Sequence, residues 1–267
     1  MIIAKEVESK SIISKTTIPK ADYVINPYIG CSHACIYCYA RFMKRFTGHK
    51  EQWGSFLDVK INSPELVPKR TDKYHDKHVL LSSVTDPYLQ FESKYQITQK
   101  ILKNLLPLDL NLLILTKSPM VLRDLEIIKK FNKKEVGLSI STLDENLRKK
   151  LEPSAPSIQS RLKALNQLHD VGVRNYLFIS PIFPYLTDWE EIINLTRDYV
   201  DYYMFENLNI IGSVWPSVKK FLDKNFPTLT SEYRQIYFED NFYWDNVKDE
   251  IINFCENHDL EFEIYFH

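Results

Sequence analysis

Residues 101–140 read ILKNLLPLDLNLLILTKSPMVLRDLEIIKKFNKKEVGLSI, and this stretch decides the fold. Apolar residues recur at helical spacing over 98–106 and over 120–131, whereas 112–115 and 136–140 are short continuous apolar runs typical of buried strands. Helices and strands therefore alternate, an order that favours parallel strands joined by right-handed crossovers.

The same alternation extends to both sides of this stretch. Further strands are predicted at 23–25, 79–84, 176–179 and 203–208, and further helices at 39–46, 158–171 and 189–200. About six strand–helix units are fewer than a complete eightfold barrel needs, so we predict an α/β fold, a partial (β/α)6 TIM-type barrel over residues 1–210. We expect the aromatic-rich residues 211–267 to form a short C-terminal α+β extension that packs on the barrel.

The composition excludes several classes of protein. The chain has 267 residues, of which 44% are hydrophobic, and its net charge is −1. A large core is therefore possible, and binding of nucleic acid through bulk positive charge is excluded. No apolar run approaches the ~20 residues that span a bilayer, and no secretory leader is visible, so we expect a cytoplasmic protein with no membrane partner.

Three of the four cysteines fall in one loop after the first predicted strand. Cys31, Cys35 and Cys38 have the spacing C-x3-C-x2-C, while Cys255 lies far along the chain, where we expect it in the core of the last helix. Structural zinc sites and electron-transfer [4Fe-4S] clusters both use four protein ligands. Three cysteines therefore predict a [4Fe-4S] cluster with one iron open, and a zinc-stabilised nucleic-acid-binding module and a ferredoxin-like electron carrier are the alternatives.

With Tyr37 before the last cysteine, this spacing resembles the signature of the radical S-adenosylmethionine (SAM) superfamily. The resemblance implies that SAM binds the open iron and that one electron from the cluster cleaves it to a 5′-deoxyadenosyl radical. That radical then abstracts a hydrogen atom from the substrate. The resemblance also implies a one-electron donor such as flavodoxin or ferredoxin.

Further segments resemble one branch of that superfamily, spore photoproduct lyase and the DNA repair photolyase-like proteins. In chain order these segments are 26–33, 85–88, 116–118, 139–141, 152–156 and 180–182. This resemblance implies a nucleic-acid substrate, while tRNA, a peptide or a small metabolite remain alternatives. In the lyase a cysteine after the second strand returns hydrogen to the product radical, and Ser83 stands at that place here, which argues against the thymine-dimer reaction.

The resemblance to the lyase implies contacts to SAM at two predicted strand ends. Thr85 and Asp86 would accept N–H bonds from the SAM amino group, although Asp86 before a proline is also typical of a simple turn. Lys117 would hold the SAM carboxylate as a point charge, and a solvated lysine is the alternative.

The same resemblance implies further contacts around the cofactor. Ser139 or Ser141 would bond the ribose, since strand alternation puts both on one face. Tyr37 would stack near the adenine. Arg161 would pair with Glu152 to brace the site or would contact a substrate acid, and a surface ion pair is the alternative.

Overall fold

The computed structural model describes residues 2–239 and 242–267, and its main element is an eight-stranded sheet. The strands in chain order are β1 (Ile3–Val7), β2 (Ile13–Lys15), β3 (Tyr23–Ile25), β4 (Tyr28–Ile29), β5 (Phe56–Lys60), β6 (His78–Leu81), β7 (Asn111–Thr116), β8 (Lys133–Ser139), β9 (Asn175–Ile182), β10 (Tyr202–Asn207) and β11 (Phe262–Ile264). The order across the sheet is β11-β10-β9-β8-β7-β6-β3-β2, and only β2 pairs antiparallel with its neighbour among these described strands.

Helices connect most of the parallel strands. They are α1 (Lys44–Thr47), α2 (Glu92–Tyr95), α3 (Ile97–Leu105), α4 (Leu125–Ile128), α5 (Glu145–Leu151), α6 (Ile158–Asp170), α7 (Trp189–Thr196), α8 (Val214–Asn225), α9 (Leu229–Phe238) and α10 (Tyr243–Asn257). Short 3-10 helices span Tyr39–Met43, Asp72–Tyr74, Leu106–Leu108 and Pro119–Asp124. No helix among the described residues combines the length and the apolar character needed to cross a membrane.

The α/β class and the partial barrel are confirmed, and the six predicted strands correspond to β3 and β6–β10. Two helix ends also follow the sequence closely. Asp188 accepts a hydrogen bond from the Glu191 amide at 2.9 Å and begins α7, and Gly172 follows α6 with a φ of +68° that favours glycine. The predicted strand at 79–84 ends earlier, at Leu81, because Ser82 takes a left-handed φ of 69°.

Other elements were not predicted. A second sheet has the order β1-β5-β4, and three helices, α5, α8 and α9, form a separate apolar cluster with residues around the cysteine loop. In residues 211–267, by contrast, two elements agree with the expected α+β extension: its last helix is α10, whose Cys255 is buried in the main core as expected, and its strand is β11, which pairs parallel with β10. The missed strands β2 and β4 have three and two residues, which is too short for a periodic signal.

The two faces of the main sheet carry different residues. On one face, called here the inner face, Val24, Leu80 and Leu113 form a small cluster of their own. The residues that flank each of these three in sequence lie on the other face, and they belong to the large core shared with α3, α6 and α7. The carboxyl ends of the parallel strands on the inner face, called here the mouth, carry the predicted polar residues.

Candidate active site

The cysteine loop, residues 31–38, begins directly after β4 and is shaped by Gly30. Gly30 has a φ of +86°, and a Cβ there would lie 2.6 Å from the Phe56 carbonyl oxygen, so only glycine fits. This close approach lets β5 support the loop from below. The second sheet, which the sequence did not reveal, thus serves to position the cysteines.

The three cysteines of this loop are all reduced, with Cys31 and Cys35 buried and Cys38 half-buried. Burial raises the pKa of each thiol, and the charges of Cys35 and Cys38 raise the pKa of Cys31 further, so the three sulfurs lie within electrostatic reach of one another. Within residues 2–239 and 242–267, no three His, Cys, Asp or Glu side chains surround a single ion position. Three neighbouring cysteines without a disulfide partner are a donor set that fits an iron–sulfur cluster, since metal binding deprotonates thiols.

Asp86 anchors this loop to the ends of β6 and β7. Its Oδ1 accepts hydrogen bonds from the Tyr88 amide at 2.8 Å and the Thr116 hydroxyl at 2.7 Å. Its Oδ2 accepts from the Lys117 amide at 2.8 Å and lies 3.1 Å from Nε2 of His33. Burial raises the pKa of Asp86, but the nearby His33 and these hydrogen bonds outweigh it and lower the pKa overall.

Thr85 and Asp86, the residues predicted to bind the SAM amino group, therefore form hydrogen bonds within the protein in this structure. The Thr85 hydroxyl donates to the Gly30 carbonyl at 2.6 Å, and so ties the second strand end to the cysteine loop. The bond from the Tyr88 amide to Asp86 shows that the predicted turn is also present.

A buried charge network lies beside the loop and is centred on Glu152, which is fully buried. Its carboxylate accepts hydrogen bonds from the Tyr37 hydroxyl and from Arg161 at 2.5 Å, and it forms an ion pair with Lys117 Nζ at 3.0 Å. Burial raises the pKa of Glu152, and the charges of Lys117 and Arg161 more than reverse this and hold the pKa far below its usual range. Arg161 is only 1% exposed, so its ion pair with Glu152 is buried and the alternative of a surface ion pair is wrong.

This network adds one net positive charge beside Cys35. Burial is the largest cause that raises the pKa of Cys35. The Glu152 carboxylate raises this pKa further, while the cations of Lys117 and Arg161 lower it. Two cations against one anion favour an anionic group, such as a thiolate or a carboxylate, at this place.

The two predicted serines differ in their surroundings. Ser139 accepts a hydrogen bond from Lys117 Nζ at 2.7 Å and donates to the Ser180 carbonyl at 3.1 Å, which places it at the mouth. Ser141 is buried, and its hydroxyl has no hydrogen-bond partner among the described residues. An unpaired buried hydroxyl is a place where a polar ligand would gain a bond.

Sequence reasoning missed one residue at the mouth, Glu206 on β10. It accepts a hydrogen bond from the Ser180 hydroxyl at 2.6 Å and lies 3.0 Å from Nε2 of His267. Strand alternation along 202–207 could have identified it, because Glu206 is the last charged residue of the sixth predicted strand.

Known proteins share this sequence pattern and this fold. The model of the radical SAM superfamily matches residues 25–196. An uncharacterised protein of Methanocaldococcus jannaschii is 44% identical over 222 residues, which cover 83% of each chain. A radical SAM Nα-GlyT isomerase of Pseudomonas phage M6 is 24% identical over 189 residues, which are 70% of this chain and 37% of the isomerase.

The fold is also that of a solved lyase. Spore photoproduct lyase complexed with dinucleoside spore photoproduct superimposes with a TM-score of 0.70 over 99% of this chain and 82% of the lyase, at 16% identity. The family match covers more than half of the chain and includes the cysteine loop. The protein described here is therefore an enzyme that belongs to the radical SAM superfamily.

Proposed function

We propose that Cys31, Cys35 and Cys38 hold a [4Fe-4S] cluster and that the chain cleaves SAM reductively. When bound, such a cluster supplies one electron that splits SAM into methionine and a 5′-deoxyadenosyl radical able to abstract hydrogen from a substrate. The observation that carries the proposal is the loop of three cysteines without a disulfide partner, two of them buried and one half-buried, beside the Lys117–Glu152–Arg161 network. Family membership favours this enzyme over the zinc-stabilised module and the electron carrier.

Lys117 is the residue we assign to the SAM carboxylate. Its side chain is 14% exposed and lies between Glu152 and Ser139, so it is held in place yet open to the mouth. A preorganised lysine binds a carboxylate without first losing side-chain entropy. Arg161 is fully engaged with protein oxygens, and we assign it to positioning Glu152 and through it Lys117.

The other contacts to SAM follow from which side-chain atoms remain free. The Ser141 hydroxyl is the better candidate for the ribose, since Ser139 already has two partners. The Tyr37 ring, which packs edge-on against Phe183 at 5.4 Å, would border the adenine. Thr85 keeps a lone pair for the amino group, while the acceptors of Asp86 are used by the protein.

We propose nucleic acid as the substrate and flavodoxin or ferredoxin as the electron donor. The substrate assignment is supported by the fold shared with spore photoproduct lyase, which was solved in complex with a dinucleoside spore photoproduct. Repair of a thymine dimer is not proposed, because Ser83 offers no thiol for hydrogen return. The four free cysteines are consistent with a reducing compartment, and we propose the cytoplasm.

Release of 5′-deoxyadenosine tests the proposal. The full chain is reconstituted with iron and sulfide without oxygen, reduced with dithionite and mixed with SAM, beside the variants Cys35→Ala and Cys255→Ala. We expect release from the wild type and from Cys255→Ala, and none from Cys35→Ala. Equal release from all three would refute the assignment of the cysteines, and no release from a wild type with a full cluster would refute SAM cleavage.

A further inference from the structure

The segment that follows the cysteine loop exposes three aromatic rings. Tyr39 is 48% exposed, Phe42 is 39% exposed and Phe46 is 76% exposed. The ring centroids of Tyr39 and Phe42 are 6.3 Å apart, with an angle of 23° between the planes, and those of Phe42 and Phe46 are 6.2 Å apart with the rings edge to face. The three rings, called here the aromatic row, therefore form one continuous apolar surface.

The aromatic row does not contribute to the core. Within the part of the chain that the structure describes, none of its three rings belongs to the apolar clusters that hold the sheet and the helices together. Soluble proteins rarely expose adjoining large apolar side chains except where they bind something. The row is therefore a candidate binding surface.

Contacts at both ends hold the aromatic row in place. At its start, Arg41 donates to the Ile36 carbonyl in the cysteine loop at 2.6 Å. At its end, Nε2 of His49 lies 2.9 Å from Asp58 Oδ2 on β5, and the His49 ring stacks on Phe56 with the centroids 3.9 Å apart. A surface that is already ordered loses little conformational entropy when a ligand binds to it.

Positive charge surrounds the aromatic row. Residues 39–50 contain four Lys and Arg residues and no Asp or Glu, in a chain whose net charge is −1. Arg41 is used within the protein, whereas Arg45 and Lys50 are exposed and Lys44 Nζ donates to the uncharged Lys50 carbonyl at 3.4 Å. This part of the surface therefore attracts anions, although the whole chain does not.

The aromatic row begins at the mouth and leads away from it. The Tyr39 hydroxyl donates to the carbonyl of Ser83, which follows the carboxyl end of β6. From there the 3-10 helix Tyr39–Met43 and then α1 carry the row onward to Phe46. A chain-like ligand that lies along the row would therefore have one end at the mouth.

We propose that the aromatic row binds a single-stranded segment of nucleic acid, with bases stacked on the rings and phosphates near Lys44, Arg45 and Lys50. The inference rests on the proposed function and names the surface that holds the substrate strand outside the mouth. Rings in series beside cations match a polymer that repeats a flat base and a phosphate, and proteins bind single strands in this way. An acidic protein would satisfy the cations but would leave the series of flat rings without a matching group.

Binding of a fluorescein-labelled decamer of thymidines, followed by fluorescence anisotropy, tests this inference. The reconstituted full chain is compared with Phe46→Ala and with the matched control Phe238→Ala. Phe238 is also largely exposed, at 60%, but it ends α9 and is followed by Glu239. We expect Phe46→Ala to raise the Kd about tenfold, as for the loss of one stacked base, and Phe238→Ala to leave it unchanged.

Three outcomes of this comparison would overturn the inference. They are a wild type that does not bind the decamer, a Kd for Phe46→Ala within twofold of wild type, and an equal loss in Phe238→Ala. Phe46→Trp keeps an aromatic ring and should bind at least within threefold of wild type, so a tenfold loss in this variant would also contradict stacking.

The salt dependence tests the cations separately. Each phosphate contact on a single strand contributes about 0.7 to the slope of the logarithm of affinity against the logarithm of salt concentration. The double variant Lys44→Gln/Arg45→Gln should therefore reduce this slope by about 1.4. The matched control is Lys129→Gln/Lys130→Gln, two adjacent exposed cations before the amino end of β8, which should keep the wild-type slope. An unchanged slope in the first double variant would overturn the phosphate contacts.

Two further probes separate the possible ligands. On an abasic decamer, wild type and Phe46→Ala should bind equally and weakly, and an equal loss on both decamers would contradict base stacking. A labelled peptide of ten glutamates that binds more tightly than the thymidine decamer would assign the surface to an acidic protein and overturn the inference. Release of 5′-deoxyadenosine by the wild type without DNA tests SAM cleavage independently, so failure of the inference can be told from failure of the proposed function.

Discussion

Replacing Glu152 with glutamine should destabilise the fold more than any exposed charge change. The substitution keeps the shape but leaves Lys117 and Arg161 facing each other without the carboxylate, and Arg161 cannot reach water. Removing one partner of a buried ion pair costs about 3–5 kcal/mol. For a chain of this size, each kcal/mol lowers the Tm by about 2–4 °C, so a decrease of roughly 10 °C is expected.

Circular dichroism during heating of the anaerobic, reduced apoprotein at pH 7 measures this difference. The matched control is Glu126→Gln, whose carboxylate is 85% exposed and pairs with Lys129 at 3.0 Å. Exposed pairs contribute about 0–1 kcal/mol, so this control should stay within a few degrees of wild type.

The pH dependence gives a second readout of the same network. Because the pKa of Glu152 is lower in the folded state, its charge stabilises the fold above the ordinary carboxyl pKa, about 4.3, and this contribution is lost as the pH falls below it. The Tm gap between wild type and Glu152→Gln should therefore narrow below about pH 4. A decrease in Tm no larger than that of Glu126→Gln, or a gap that widens in acid, would refute the assignment of a buried charge network.

Three further predictions concern other parts of the site and its support. Lys117→Met should raise the Kd for SAM roughly 10–100-fold in calorimetry of the reconstituted protein, as expected for a lost charged hydrogen bond, and unchanged affinity would refute its role. Asp86→Asn should lower the iron retained after reconstitution relative to Glu126→Gln, because the loop anchor is weakened, and equal iron would contradict this. Burial lowers the pKa of His49, but the hydrogen bonds that its ring donates to Asp58 and Glu51 raise it overall, so stability should fall as the pH rises from 6 to 8, and His49→Gln should lack this fall.

The sequence predicted the elements that have a long periodic signal. The parallel strands and α6 were found because buried strands are continuous apolar runs and amphipathic helices repeat their apolar residues. The small sheet was missed because β4 has two residues and β1 lies mostly exposed at 3–7. Their role, supporting Gly30 and the cysteine loop, depends on contacts between distant segments that no local pattern encodes.

The sequence predicted which residues form the candidate site, but not which of these residues bond to one another. Lys117, Ser139 and Arg161 were each considered as groups aimed at a ligand, and the structure shows that they also bond to Glu152, to each other or to main-chain oxygens. Sequence reveals which side chains lie at strand ends. It does not reveal which opposite charge pairs with a given buried charge, because the pairing depends on burial and distance together.

The arrangement around Glu152 links the cysteine loop to the proposed SAM site. The carboxylate holds Tyr37, which lies between two cysteines, and also Lys117, which follows β7. Arg161 pairs with the same carboxylate and also bonds the Ser139 carbonyl, so three strand-end segments share one buried anion. A ligand carboxylate drawn to Lys117 would compete with Glu152 for that cation, and Arg161 would then keep Glu152 ionised. The second cation in the network thus allows Lys117 to turn to a ligand without leaving a buried carboxylate unpaired.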